Sequence, residues 1–257
     1  IEESIKYYKM AIKRGYALSM HNYAYLLLKG IGVDQDIKEA LKYFKMAGDH
    51  GFAESMNYYA FMVENGQGTR VDMEEALKYY KMAAENGYVI ALTNLGSIYK
   101  NGAHEIQPDR EKALKYYKMA ADEGSAEGMY NYASLLMNAH EKIDEAVHYF
   151  KMAADEGEPN AMYVYAKILK EGIIGEPDLI GSMKYLLMSA KSGNEAALLE
   201  LLSEMGDDDD DDKKEDNDND EEKGKKEEVE EEDDSSDEDE NEGDILSTLS
   251  KLYNLLG

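Results

Sequence analysis

A short pattern returns six times along this chain and fixes what it can fold into. Tyr-Tyr or Tyr-Phe followed by Lys-Met-Ala begins at Tyr7, Tyr43, Tyr79, Tyr116 and Tyr149, and in decayed form (Tyr-Leu-Leu-Met-Ser) at Tyr185. The steps between first tyrosines are 36, 36, 37, 33 and 36 residues. A fixed period in this range means an array of one supersecondary unit, in which each unit buries its apolar face only by stacking on its neighbours.

The unit can be read as two helices. Counting from each first tyrosine, apolar residues occupy positions −3, −2, 0, +1, +3 and +4, one broad helical face. Tyr79, Met82 and Ala83 of a central repeat are therefore expected in the core. Glycine stands at +8 every time: Gly15, Gly51, Gly87, Gly124, Gly157 and Gly193. It ends this helix, here called B. After the glycine, small or apolar residues recur at +4, +5, +8, +9 and +12, as in Ser55, Met56, Tyr59, Ala60 and Val63. They trace the stripe of a second helix, A. The small residue at +9 lets two helices approach closely. A glycine-containing loop follows, as at Gly30–Gly32 and Gly66–Gly68. Asp36, Asp72, Asp109, Asp144 or Asp178 then opens the next helix B, where an acid caps free N–H groups. The 33-residue step falls in this loop, which lacks glycine at Asn138–Glu141. Repeat length thus varies in the connection.

These offsets resemble the Sel-one-like repeat family, a relative of the tetratricopeptide repeat. Its pattern, A-M-x-x-L-G-x-x-Y-x-x-G-x-G-V then D-x-x-x-A-x-x-Y-Y-x-x-A-A-x-x-G, is matched by Met20, Tyr23-Ala24, Gly30, Gly32 and Val33, then Asp36, Ala40, Tyr43-Phe44, Ala47 and Gly51. Leu95-Gly96, Tyr99 and Gly102 carry the Leu-Gly form. Tyr-Ala often stands for Leu-Gly, and the helix from Asn194 to Met205 is degenerate, as a terminal cap would be. The resemblance implies an all-α, right-handed α-solenoid of antiparallel helix pairs over residues 1–205. Some secreted bacterial members resemble this fold with a disulfide in each repeat; this chain has no cysteine, which excludes that form and any cysteine metal site.

The charge of −27 is concentrated at one end. Asp207 to Asp244 holds 25 acidic and 5 basic residues, net −20, with Val229 as its one aliphatic residue. Residues 206–243 are expected to be a disordered acidic linker. Residues 244–257 read as a short amphipathic helix, with Ile245, Leu249, Leu252 and Leu256 at helical spacing. Such a helix on a leash is expected either to dock on its own solenoid or to serve another groove. Ser235 and Ser236, followed by Asp237, Glu238, Asp239 and Glu240, suit an acidophilic kinase of the casein-kinase-two type.

Little in the chain points to chemistry. No phosphate loop, serine elbow, cysteine nucleophile or paired-histidine metal motif is present among its residues. No enzyme activity, cofactor or metal is expected. The total charge argues against nucleic acid, and no run of 18 apolar residues argues for a membrane. Lysines at −1 and +2 of helix B, such as Lys42, Lys45, Lys78 and Lys81, are expected as a solvated outer face with helix pairs Glu2–Lys6, Glu74–Lys78 and Glu111–Lys115. A docking strip for an acidic partner is the alternative.

The expected function is a protein-interaction scaffold. In the related tetratricopeptide fold the A helices line a concave groove. The positions expected to form that surface here are +3, +6 and +10 after the glycine: Leu18, His21, Tyr25, Asn57, Phe61, Thr93, Ser97, Tyr130, Ser134, Tyr163 and Lys167. Tyr25, Phe61, Tyr130 and Tyr163 are the expected anchors for a protein or peptide partner, because aromatics dominate hot spots. Two alternatives stand: an acidic-tail chaperone for basic proteins, or the regulatory repeat region of a larger protein, as in protist members that resemble kinases with repeats downstream. The chain opens inside a helix B without methionine and is read as a fragment. A cytoplasmic location is expected, with a nuclear one as the alternative.

Overall fold

Four of the helices start from an aspartate that caps their N-terminus and are followed by a left-handed glycine. The computed structural model describes residues 2–139 and 142–206. The acidic stretch, Ser235, Ser236 and residues 244–257 lie outside them. Twelve helices occur among the described residues: α1 (Glu2–Ile12), α2 (Ala17–Lys29), α3 (Ile37–Asp49), α4 (Ala53–Glu64), α5 (Met73–Glu85), α6 (Ile90–Asn101), α7 (Arg110–Asp122), α8 (Ala126–Asn138), α9 (Ile143–Asp155), α10 (Pro159–Lys170), α11 (Leu179–Lys191) and α12 (Glu195–Gly206). Odd numbers are B helices and even numbers A helices. Each helix packs on the ones before and after it. The fold is an all-α solenoid.

The punctuation works as its chemistry dictates. Asp36, Asp72, Asp109 and Asp178 each accept a hydrogen bond from the backbone N–H three residues on, the exchange that satisfies a free helix N-terminus. Asp144 instead lies in the first turn of α9, and Lys142 in left-handed conformation holds the N-cap position. After the B helices the chain turns through glycines such as Gly51 at φ 87°, a region that costs other residues about 1–2 kcal/mol.

The B-helix core is narrower than the sequence pattern predicts. Positions −3, +1 and +4 are buried in both α5 (Ala76, Tyr80 and Ala83) and α7 (Ala113, Tyr117 and Ala120), and in α5 Leu77 and Tyr79 are buried as well, as expected for Tyr79. Met82, expected in the core, is half-buried, and Met119 is exposed. The +3 position lies at the edge of the helix face, so methionine there drapes over a seam.

The two rows are bridged differently. Neighbouring A helices are joined by short side chains: His21 Nδ1 and Ser55 Oγ share a 2.8 Å hydrogen bond, and Asn94 donates to Asn57 Oδ1 at 2.9 Å. Neighbouring B helices are joined by long ones: the Tyr79 hydroxyl donates to Asp49 at 2.7 Å, and Lys118 donates to the Tyr149 hydroxyl at 3.0 Å. The shorter bridges belong to the A row, here called the inner row.

The +2 lysines are not free surface charges. Lys9, Lys45 and Lys118 each lie over the tyrosine fourteen residues on, Tyr23, Tyr59 and Tyr132, with Nζ 5.2, 4.8 and 5.6 Å from the ring centroid. Those rings meet Tyr43, Tyr79 and Tyr149 edge-on. Each of these three boundaries thus carries a lysine capping a tyrosine pair. Lys118 holds its proton more tightly than usual through its bonds to Tyr149 and Asp122. The third boundary lacks the ring, because Leu95 stands where the others have tyrosine. The helix pairs expected at Glu2–Lys6, Glu74–Lys78 and Glu111–Lys115 are not among the ion pairs of the described residues.

Candidate functional site

The inner row presents a mixed surface built from positions three, seven and ten residues after each repeat glycine. Its most apolar stretch lies on α2 and α4. Tyr25 and Phe61 are 37 % and 46 % exposed, although each is a large aromatic. Between them sits Tyr58, half-buried. Its ring stacks on the buried Phe44 of α3 at 5.0 Å and 7°, and Tyr25 meets it edge-on at 6.4 Å. Phe44 fixes Tyr58, and Tyr58 supports Tyr25, so the exposed rings stand on a packed column.

Two adjoining hollows share Tyr25 and Tyr58. One, of about 460 Å³, is lined by Tyr8, His21, Asn22, Leu26 and Glu54. The other, of about 590 Å³, is lined by Leu28, Lys29, Gln35, Ile37, Phe61, Met62 and Gln67. Lys29 carries its ammonium 6.0 Å from the Tyr25 ring centroid. The second hollow has apolar walls with a few polar groups, the usual make-up of a recognition pocket.

Three of the positions expected on this surface are inside instead. His21, Asn57 and Thr93 are buried. Contacts with the next A helix explain two of them: His21 bonds Ser55 and Asn57 bonds Asn94. His21 packs among Phe44, Phe52 and Tyr58 at 5.5, 4.9 and 5.6 Å, bonds Ser55, and has Glu54 Oε2 at 3.8 Å from Nε2. Burial pushes its pKa down, against the pull of Glu54. Thr93 bonds back to the Ile90 carbonyl at 2.8 Å. Leu18, Tyr25, Phe61, Ser97 and Lys167 are exposed, and Tyr130, Ser134 and Tyr163 are half-buried. Tyr130 leans edge-on against Phe150, and Lys167 sits 5.7 Å from the Tyr163 ring. Exposed aromatics thus gather at the N-terminal end of the row.

Tyr58 was not among the expected positions. Its column reads Asn22, Tyr58, Asn94, Asn131 and Val164, and one aromatic among asparagines was the available signal.

A further hollow of about 590 Å³ opens on the outer side at the third boundary, among Lys81, Leu92, Leu95, Tyr116 and Met119. It lies where Leu95 leaves Lys81 without a ring to cap. Glu85, Asp122 and Glu123 surround it. No group of three or more metal-ligating side chains occurs among the described residues, and no described helix is long and apolar enough to cross a membrane.

The family pattern of the Sel1 repeat matches residues 1–16, 17–52, 53–88, 89–125, 126–158 and 159–194. The chain belongs to the Sel1 repeat family. Its repeats begin at the A helices, so α2 and α3 form one Sel1 repeat and α1 is the end of another. Among solved structures, a Sel1 repeat protein from Oxalobacter formigenes is similar at 26 % identity and TM-score 0.68, over 74 % of this chain and 78 % of its own. A protective antigen of uropathogenic Escherichia coli with an SLR fold aligns at 23 % identity and TM-score 0.69. That alignment covers 75 % of this chain and 42 % of the antigen, so the chain spans less than half of the antigen's length. An immunity protein from Pseudomonas aeruginosa has the same fold at 23 % identity and TM-score 0.51, over 73 % of this chain and 72 % of its own. No curated protein matches the chain. Sel1 repeat proteins generally mediate protein–protein interaction, and their solenoid is typically a non-catalytic scaffold.

Proposed function

We propose that the protein is a scaffold whose inner face, at α2 and α4, docks a segment of a partner protein, with Tyr25 and Phe61 as the anchors. The observation that supports this is the exposure of both rings on a column fixed by Tyr58 and Phe44. An exposed aromatic held by packing contributes contact area at little ordering cost, which is why such rings dominate interfaces. Leu18 extends the apolar strip along α2. Lys29 favours a segment that carries a carboxylate beside its apolar anchor. The array needs no chemistry of its own for this task.

Selection of a random peptide library on the full chain tests the reading. Enriched peptides should share an apolar anchor, and Tyr25→Ala with Phe61→Ala should abolish their enrichment. Tyr116→Ala at the outer hollow should leave it intact. Enrichment that survives loss of both inner rings rules this surface out.

A further inference from the structure

Five of the six A helices are followed by a B helix among the described residues, and α12 is not. Its surface shows the consequence. Five residues after the repeat glycine, Met20, Met56, Leu92, Met129 and Met162 are 2 to 5 % exposed. Nine residues after it, Ala24, Ala60, Gly96, Ala133 and Ala166 are equally buried. In α12 these positions are Leu198 and Leu202, 47 % and 53 % exposed. Gly96 shows what covers the ninth position: a methyl there would lie 2.5 Å from the ring of Tyr117 in the following B helix. Tyr117 stands eight residues after its N-cap Asp109. Phe44, Tyr80 and Leu186 stand eight after Asp36, Asp72 and Asp178, and all are buried.

Part of the same register recurs in the sequence after the acidic stretch, with Lys251 standing where the B helices have Tyr43, Tyr79, Tyr116 and Tyr185. Eight residues after Asp244 is Leu252. Four after it is Thr248, where the B helices have Ala40, Ala76, Ala113 and Ser182. Five after it is Leu249, where they have Leu41, Leu77, Leu114 and Met183. Eleven after it is Leu255, where they have Ala47, Ala83, Ala120 and Ser189. The pairing also adjusts in size. Earlier repeats set Gly or Ala of helix A against a larger residue of helix B, most often aromatic; here Leu202 would meet Leu252, and a larger residue on one side faces a smaller one than Tyr or Phe on the other.

We propose that residues 244–257 are the B helix of a seventh repeat, folding onto α12 of the same molecule, and that residues 207–243 are an insertion in the A-to-B loop of that repeat. The proposal does not depend on what the inner face binds. The site of the insertion is the connection in which repeat length already varies: residues 30–36 join α2 to α3, while residues 139–142 join α8 to α9. Lengthening a seven-residue loop to 37 lowers the effective concentration of its ends only about tenfold, because closure entropy grows slowly with length. A tether of this kind still presents the segment at high local concentration. The leash, dense in like charge, has no apolar surface to compete for α12.

The chain lacks cysteine, so one engineered pair reports the contact directly. In Leu202→Cys with Leu252→Cys, mild oxidation of the full chain should give a disulfide-linked monomer. Leu202→Cys with Ser250→Cys, two residues away on the opposite helix face, should link far more slowly. In the cysteine-free chain, deletion of 244–257 and, separately, Leu252→Asp should each speed amide exchange in α12 at least tenfold, with α4 to α9 unchanged. Equal linking of both pairs, linked dimers in place of monomers, or unchanged exchange in α12 would each overturn the proposal.

Discussion

Lys45 of α3 lies over the ring of Tyr59 in α4, its ammonium 4.8 Å from the ring centroid, and reaches Glu75 Oε1 at 3.3 Å. It ties three helices of two adjacent repeats together. A cation over a ring contributes roughly 0.5–1 kcal/mol where partly exposed. Lys45→Ala should therefore lower unfolding free energy by about 1 kcal/mol in urea titrations. Lys81→Ala, where Leu95 replaces the ring, should stay within about 0.5 kcal/mol of wild type. Equal losses at the two sites would mean that charge, not the ring, matters.

Gly96→Ala offers a test of sign. In an open helix the change stabilises by about 1 kcal/mol. Here the added methyl would meet the Tyr117 ring at 2.5 Å, and overpacking of this kind costs about 1–3 kcal/mol. Net destabilisation is expected, and a stabilised variant would refute the close approach of α6 and α7.

Tyr80 and Met82 sit two residues apart and should differ sharply. Tyr80 is fully buried and donates its hydroxyl to Glu64 at 2.7 Å. Tyr80→Ala should cost about 3–5 kcal/mol. Half-buried Met82→Ala should fall well below that, in the same denaturation experiment. The two columns look alike in sequence, Tyr-Tyr-Lys-Met, and this is where pattern reading reached its limit.

What the sequence revealed follows from periodicity. Helix number, pairing and ends rest on Asp36, Gly51 and their counterparts, whose roles are local. Which positions of an A helix stay open depends on contacts between repeats. His21 and Asn57 lie inward because each bonds a side chain of the next A helix, Ser55 and Asn94. No single repeat encodes those contacts. The capping of Tyr23, Tyr59 and Tyr132 by lysines was equally hidden, since the partners are in different repeats.

His21 makes the N-terminal repeats sensitive to acid. Burial depresses its pKa below the 6.5 of a free imidazole. Between the two values the unfolded chain binds more protons, so stability is complete above the unfolded value and falls as pH drops through it. Melting at pH 7.5 and pH 5 should show a larger loss for wild type than for His21→Gln. Identical losses would place the acid response elsewhere.

The acidic stretch predicts a contrast in salt. A partner held by Asp207–Asp244 should weaken steeply between low and high ionic strength, whereas one held by Tyr25 and Phe61 should change little. Binding isotherms of a selected peptide at two salt concentrations separate these cases, and a steep decline would favour the acidic segment over the inner face.

The most direct measurement is the affinity of such a peptide for Phe61→Ala, a variant whose exposed side chain can be removed without opening the core. Calorimetry should show at least a thirtyfold weaker Kd, the loss of about 2 kcal/mol expected of an interface anchor, with Tm within a few degrees of wild type. An unchanged Kd at unchanged Tm would contradict the assignment of the α2–α4 inner face as the docking surface.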